Sequence, residues 1–202
     1  QTRLRYMLFV PWTYSALEAE RVASGDMSAR AQEAERDLID AMRNVDARQD
    51  GVFGGRKGRD IKRLPSSVYW AGLGAWGIRL GDLGQDQYHR RMSQTYEVRD
   101  REDARGRERA KNGDDSDQAP HPASLTWHPR LPAAPADFPQ VADFRLRVED
   151  AQFLTDRLVA SHPESLLAHL AQHCVPADVS APWHHPDLEG FSPAHRDLLE
   201  HG

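Results

Sequence analysis

The sequence predicts a mainly α protein. It places a helical module over residues 1–98 and a second, with a Pro-rich lead-in, over 125–202, joined by a disordered, charged linker at 99–124. Three observations predict this. Apolar side chains recur at steps of three and four, the spacing of one helix face. Helix start signals stand at Ser28, Ser66, Pro163–Glu164 and Ser192–Pro193. Residues 99–124 alternate in charge and offer almost nothing to bury, which a packed core cannot use. The two modules can also pack as one domain, with the linker as an excursion.

The elements follow in order. Residues 3–24 read as helix, with Leu4, Met7, Leu8, Phe9 and Val10 too densely apolar for an exposed surface. Pro11 removes a backbone donor and predicts a break or kink, and Gly25 predicts the end of the segment. A second helix starts at Ser28 and carries the stripe Ala31, Ala34, Leu38, Met42 and Val45, with Arg30, Glu33, Arg36, Asp37 and Arg43 opposite. Four glycines between 51 and 58 make residues 50–63 a loop. Ser66 then caps a third helix bearing Tyr69, Leu73 and Trp76, whose Gly72 and Gly74 admit a close neighbour. Gly77 supplies a left-handed stop, with Ile78 as the apolar contact beyond it. A fourth helix is expected over about 82–98. After the linker, six prolines between 120 and 139 predict an extended path. A short extended piece over Phe144–Val148 and helices near 149–160, 163–174 and 193–200 complete the chain.

Composition excludes several classes. A mean hydropathy of -0.71 with 39% hydrophobic residues is more polar than a compact domain needs, so part of the chain is expected outside any core. Cys174 is the single cysteine, which excludes an internal disulfide framework and fits a reducing, cytoplasmic setting. The longest apolar run, Tyr6 to Trp12, is far short of the roughly 20 residues of a membrane-spanning helix, so no membrane partner is expected. The chain begins with Gln and runs directly into apolar sequence, which reads as a fragment of a longer product. Its net charge of -5 is unevenly spread. Residues 51–96 hold eight basic and three acidic side chains, and 120–202 hold five and eleven. Such blocks attract phosphates on one side, or attract each other.

The strings QTRLRYMLFVPW at 1–12, GRKG at 55–58, Pro65 to Leu73 and Trp127 to Pro129 resemble a bacterial family catalogued only as a domain of unknown function. The resemblance spans most of the chain apart from the linker. It implies no reaction, and it implies that family members extend beyond both ends of this sequence.

The chemistry-bearing candidates centre on the basic loop. Its glycines free backbone N–H groups, while Arg56, Lys57, Arg59, Lys62 and Arg63 supply charge for a phosphate. The spacing is not that of a nucleotide P-loop. Ser66 at a helix start offers a further phosphate contact, and Tyr69 and Trp70 offer stacking platforms for bases. The competing reading is an exposed loop before a core helix, with Trp12, Tyr14, Trp70 and Trp76 as core. Arg3 and Arg5, on an apolar helix, reach the surface or pair with Glu18, Asp37 or a preceding segment. His169 and His173 stand four apart on a predicted helix near Cys174, His184 and His185, which suits a metal ion, but no Glu lies between them to act as a base. Exposed or capping histidines are the preferred reading, with no metal or other cofactor expected. Ser66–Ser67 sits in no nucleophile elbow. The function expected is that of a non-catalytic, nucleic-acid-associated or complex-forming component. The alternatives are an enzyme fragment with its catalytic residues elsewhere, a metal-dependent enzyme using the C-terminal histidines, or a protein–protein interaction module.

Overall fold

Six helices form among the residues that the computed structural model describes, which are 3–45, 52–53, 61–111, 125–173 and 192–193. They are α1 (Tyr6–Ala19), α2 (Ser24–Val45), α3 (Pro65–Ala75), α4 (Gln85–Lys111), α5 (Val148–Ser161) and α6 (Leu166–His173). No strand occurs among the described residues. One isolated antiparallel bridge, Arg79 with Trp127, ties the end of α3 to the segment after the linker. The protein is mainly α, as the periodicity predicts.

A helix that is apolar all round must be surrounded, and α1 is the central element. Every residue from Tyr6 to Tyr14 is buried. Helices α2 and α3 pack on it. Phe138 stacks on Phe9 at 5.7 Å and Phe144 meets Tyr6 edge-on at 5.6 Å. Trp127, Ala142, Phe153 and Leu154 join the same buried cluster, so the segment after 124 shares one core with α1. Trp12 is part of it, its indole N–H donating to the Pro132 carbonyl at 2.6 Å.

Several expectations need correction. Pro11 does not break α1, which runs through it; burial on all sides outweighs one missing hydrogen bond. The helix instead ends at Ala19, before Gly25. Arg21 takes the left-handed conformation (φ 56°), and the amide N–H groups of Arg21 and Val22 bond the carbonyls of Glu18 and Leu17. Helix α2 accordingly starts at Ser24 rather than Ser28. Ser24 and Ser93 exchange backbone-to-hydroxyl bonds of 3.0 and 2.9 Å that fix its start against α4. The stripe of α2 is as predicted at Ala31, Leu38 and Met42, each 0–1% exposed; the side chain of Val45 lies outside the described residues.

Helix α3 begins with Pro65 in its first turn, and Leu64 holds the cap position without a side-chain bond. Ser66 is therefore not the cap. Gly77 does stop the helix (φ 61°), with Ile78 N–H bonding Leu73 O at 2.9 Å and the Ile78 side chain fully buried. The close neighbour at Gly74 is the Arg79 guanidinium, which also lies over the Trp70 ring at 5.3 Å. Helix α4 continues past the expected end near 98 to Lys111, so the first half of the linker stretch is helical, with residues 103–109 exposed. Residues 112–124 lie outside the described residues. Arg5 pairs neither with Glu18 nor with Asp37. It forms a buried ion pair with Asp150, 145 positions away in sequence, because the start of α5 packs beside α1. Phe144–Leu146 is irregular and Val148 already belongs to α5. Helix α6 starts at Leu166, after Ser165, whose hydroxyl accepts from Ala168 N–H at 3.1 Å. Residues 194–200 lie outside the described residues. None of the six helices is long and apolar enough to cross a membrane.

Candidate functional site

Helices α3 and α4 both begin at one cleft, with α2 as its opposite wall. This cavity has a volume of about 580 Å³, and Arg36, Lys62, Ser66, Gln85, Asp86 and His89 are among the residues that line it. Arg36 and Lys62 bring the cations. Gln32 holds Arg36 through a long 3.5 Å hydrogen bond, one helical turn back on α2. Asp86, in the first turn of α4, is the acid of the lining.

The floor is a buried polar network. Glu35 lies on the apolar face of α2, 1% exposed. Its carboxylate accepts from Ser66 N–H at 2.8 Å and from Ser66 Oγ at 2.6 Å, and the nearby Tyr14 hydroxyl favours its charged form. Gln85 Nε2 donates to Tyr14 Oη at 2.7 Å and to Ser66 Oγ at 2.8 Å. His89 Nε2 lies 3.3 Å from Tyr14 Oη, its ring stacked on the tyrosine at 5.8 Å. Burial pushes the Glu35 carboxyl up from its usual range, opposed by the Ser66 and Tyr14 bonds. Burial and the Glu35 charge together push the Tyr14 phenol up. The His89 imidazole is held below its usual value by burial, with Asp86 pulling the other way. Buried polar groups cost little only when all are satisfied, and here Glu35, Ser66, Gln85 and Tyr14 join α2, α3, α4 and α1.

This network decides what Ser66 can do. Its hydroxyl hydrogen goes to a carboxylate rather than to an imidazole, and its oxygen already accepts from Gln85, so it is a structural bridge between α3 and α2. Tyr69 and Trp70 are each 7% exposed. Tyr69 Oη donates to the Arg3 carbonyl at 3.0 Å and accepts from Arg3 N–H at 2.8 Å. Trp70 meets Tyr14, Tyr88 and Trp127 at 5.3, 5.1 and 6.1 Å, and its indole N–H bonds Leu83 O at 3.0 Å. The ring faces that would stack on bases are covered by the core. Lys62 and Arg63 are exposed. Arg56, Lys57 and Arg59 lie outside the described residues.

The histidine pair is only half described. His169 is partly buried on α6, and the His173 side chain, Cys174, His184 and His185 lie outside the described residues. Among the described residues no group of three His, Cys, Asp or Glu side chains is placed to hold a metal ion.

Sequence reasoning missed Tyr14 as a polar group, Glu35, Gln85 and His89. The signal for Glu35 was present: it stands four after Ala31 and three before Leu38, inside the apolar stripe, where a carboxylate needs buried partners. Gln85 and His89 gave no such signal, since only the tertiary arrangement brings them to Tyr14.

Fold and site together define a helical protein with a cation-bearing polar cleft above a buried carboxyl group. Residues 1–95 match a family of unknown function, DUF6361, and the cleft-lining residues named above fall within that stretch. The Trp127–Pro129 string lies beyond it. No curated protein and no solved structure matches the chain.

Proposed function

We propose that this chain is a non-catalytic, nucleic-acid-associated component that contacts phosphates at the mouth of the cleft. The observation that carries the reading is the position of Arg36 and Lys62 on the cleft wall, with exposed Arg63 next to Lys62 and with Arg56, Lys57 and Arg59 a few positions earlier in sequence. Among the described residues no ion pair joins 61–96 to 125–173. Arg90 and Arg91 on α4 are exposed as well.

Binding by such a rim is electrostatic. Titrating the full chain with generic DNA and RNA at two salt concentrations should show affinity falling as salt rises, by about 0.9 log units per log unit of salt for each duplex phosphate neutralised. Reversing Arg56, Lys57, Arg59 and Lys62 to Glu should abolish binding and leave the circular dichroism unchanged. If no salt-sensitive binding occurs even at low ionic strength, the nucleic-acid reading fails. A second reading, a protein-interaction module, is favoured by Val141 and Val148, which are 52% and 85% exposed. It predicts instead that Val148→Asp changes association with other proteins while the charge reversals do not.

A further inference from the structure

The lining of the cleft sets its charges and its rings very differently. Arg36 on α2 and Lys62 ahead of α3 both border the space, and neither forms an ion pair among the described residues. Asp86 is the acid of the lining and is without an ion pair there as well. Two cations against one acid leave the lining positive. Ser28, Gln32 and Gln85 add hydroxyl and amide groups, which can both donate and accept. The rings of the lining are Tyr14 and His89, which are 0% and 7% exposed and stack on each other. Neither presents an open face on which a base could stack. A volume of about 580 Å³ lies within the range of roughly 300–1,000 Å³ that small-molecule pockets span, so the space holds more than a phosphate group.

We propose that the cleft holds one terminal phosphate monoester with the sugar that carries it, the phosphate at Arg36 and Lys62 and the base left outside. This rests on the nucleic-acid reading above and deepens it: a strand is gripped by a phosphorylated end rather than along its length. Charge favours an end. A monoester carries close to two negative charges at neutral pH, which suits two unpaired cations, whereas a diester carries one. Asp86 opposes a second phosphate following the first into the same space. A free sugar phosphate presents the same group as a strand end, and the test separates the two sources.

The full chain is titrated calorimetrically with ribose 5-phosphate, ribose, inorganic phosphate, CMP and UMP. Ribose 5-phosphate should bind at least about tenfold more tightly than ribose or phosphate, the scale of one lost bond to a charged group. CMP and UMP should match each other. Short single strands with a phosphate at the 5′ end, at the 3′ end, or at neither end are then compared at one salt concentration. At least one phosphorylated form should bind more tightly than the unphosphorylated strand. Lys62→Gln, at an exposed position, should weaken ribose 5-phosphate and shrink the end preference with an unchanged circular dichroism spectrum. Phosphate or ribose binding as tightly as ribose 5-phosphate, a tenfold gap between CMP and UMP, or no binding at about 1 mM would overturn the proposal. Salt-sensitive binding of strands with no effect of a terminal phosphate also sinks it, and leaves the nucleic-acid reading standing. Tight ribose 5-phosphate binding without strand binding supports the cleft as a monoester site and removes the nucleic acid.

Discussion

Glu35 occupies a position in α2 that its neighbours along the same face fill with Ala31, Leu38 and Met42. A carboxyl group there is tolerated because Ser66 supplies two donors, from its N–H and its hydroxyl, and Gln85 satisfies the Ser66 oxygen in turn. Removing the acceptor leaves buried donors unpaired, so Glu35→Ala should destabilise the protein by about 2–4 kcal/mol in urea unfolding. A loss below about 1 kcal/mol would mean that water replaces the carboxylate and that the floor is open. His128 makes the opposite kind of statement about pH. Its ring lies between Arg157 Nη1, 2.9 Å from Nε2, and the Arg130 N–H, 3.2 Å from Nδ1. Burial and then these two positive side chains hold it below its ordinary value of 6.5. Below pH 6.5 the unfolded chain binds a proton that the folded chain refuses, so this residue lowers stability as pH falls toward its depressed folded value. The urea midpoint should therefore drop less between pH 7 and pH 5 in His128→Gln than in the unaltered protein.

Helix α4 is 27 residues long, about 40 Å at the usual rise, and its two halves obey different rules. Tyr88, Met92 and Tyr96, one turn apart, are buried against the core. From 103 to 109 every side chain is exposed, so little burial among the described residues stabilises this half. Its stability is a matter of intrinsic propensity and of pairs such as Arg101 with Glu97 at 3.1 Å. Gly106 sits in that half with open space around it. Gly106→Ala should raise local helix stability by about 0.5–1 kcal/mol. Circular dichroism should register more helix while the melting temperature hardly moves. A clear rise in melting temperature would show that this half is coupled to the core.

At the scale of the whole molecule, two buried carboxylates bind α1 to chain more than a hundred residues away. Glu18 accepts from Tyr88 Oη at 2.6 Å, Trp127 Nε1 at 2.9 Å and Arg99 at 2.7 Å. Asp150, fully buried, accepts from Arg5 and Arg147 and also closes the first turn of α5. Burial opposes its ionisation, yet the Arg147 hydrogen bonds and the Arg5 charge hold its carboxyl below the usual range. Asp150→Ala strands Arg5, which is only 5% exposed, without its partner. The variant should lose about 3–5 kcal/mol, and proteolysis should cut first between 125 and 161. If cleavage patterns and urea midpoint stay unchanged, the segment after the linker is held by its aromatic contacts alone.

The sequence by itself determined that the protein is helical, where most of its helices lie, which faces of α2 and α3 are apolar, and that Gly77 ends α3. These follow from local rules of spacing, capping and backbone freedom that need no knowledge of neighbours. It also made Lys62 and Arg63 exposed cations, since a charged side chain stays in water unless a partner is buried with it. Tertiary structure alone decided that α1 runs through Pro11, that Ser66 bridges to Glu35 instead of capping α3, and that Arg5 meets Asp150. In each case the deciding partner is distant in sequence, and a buried charge, hydroxyl or ring takes its role from the groups that satisfy or cover it. The cleft floor is the extreme case: Tyr14, Glu35, Ser66, Gln85 and His89 come from four helices, and no local pattern brings them together.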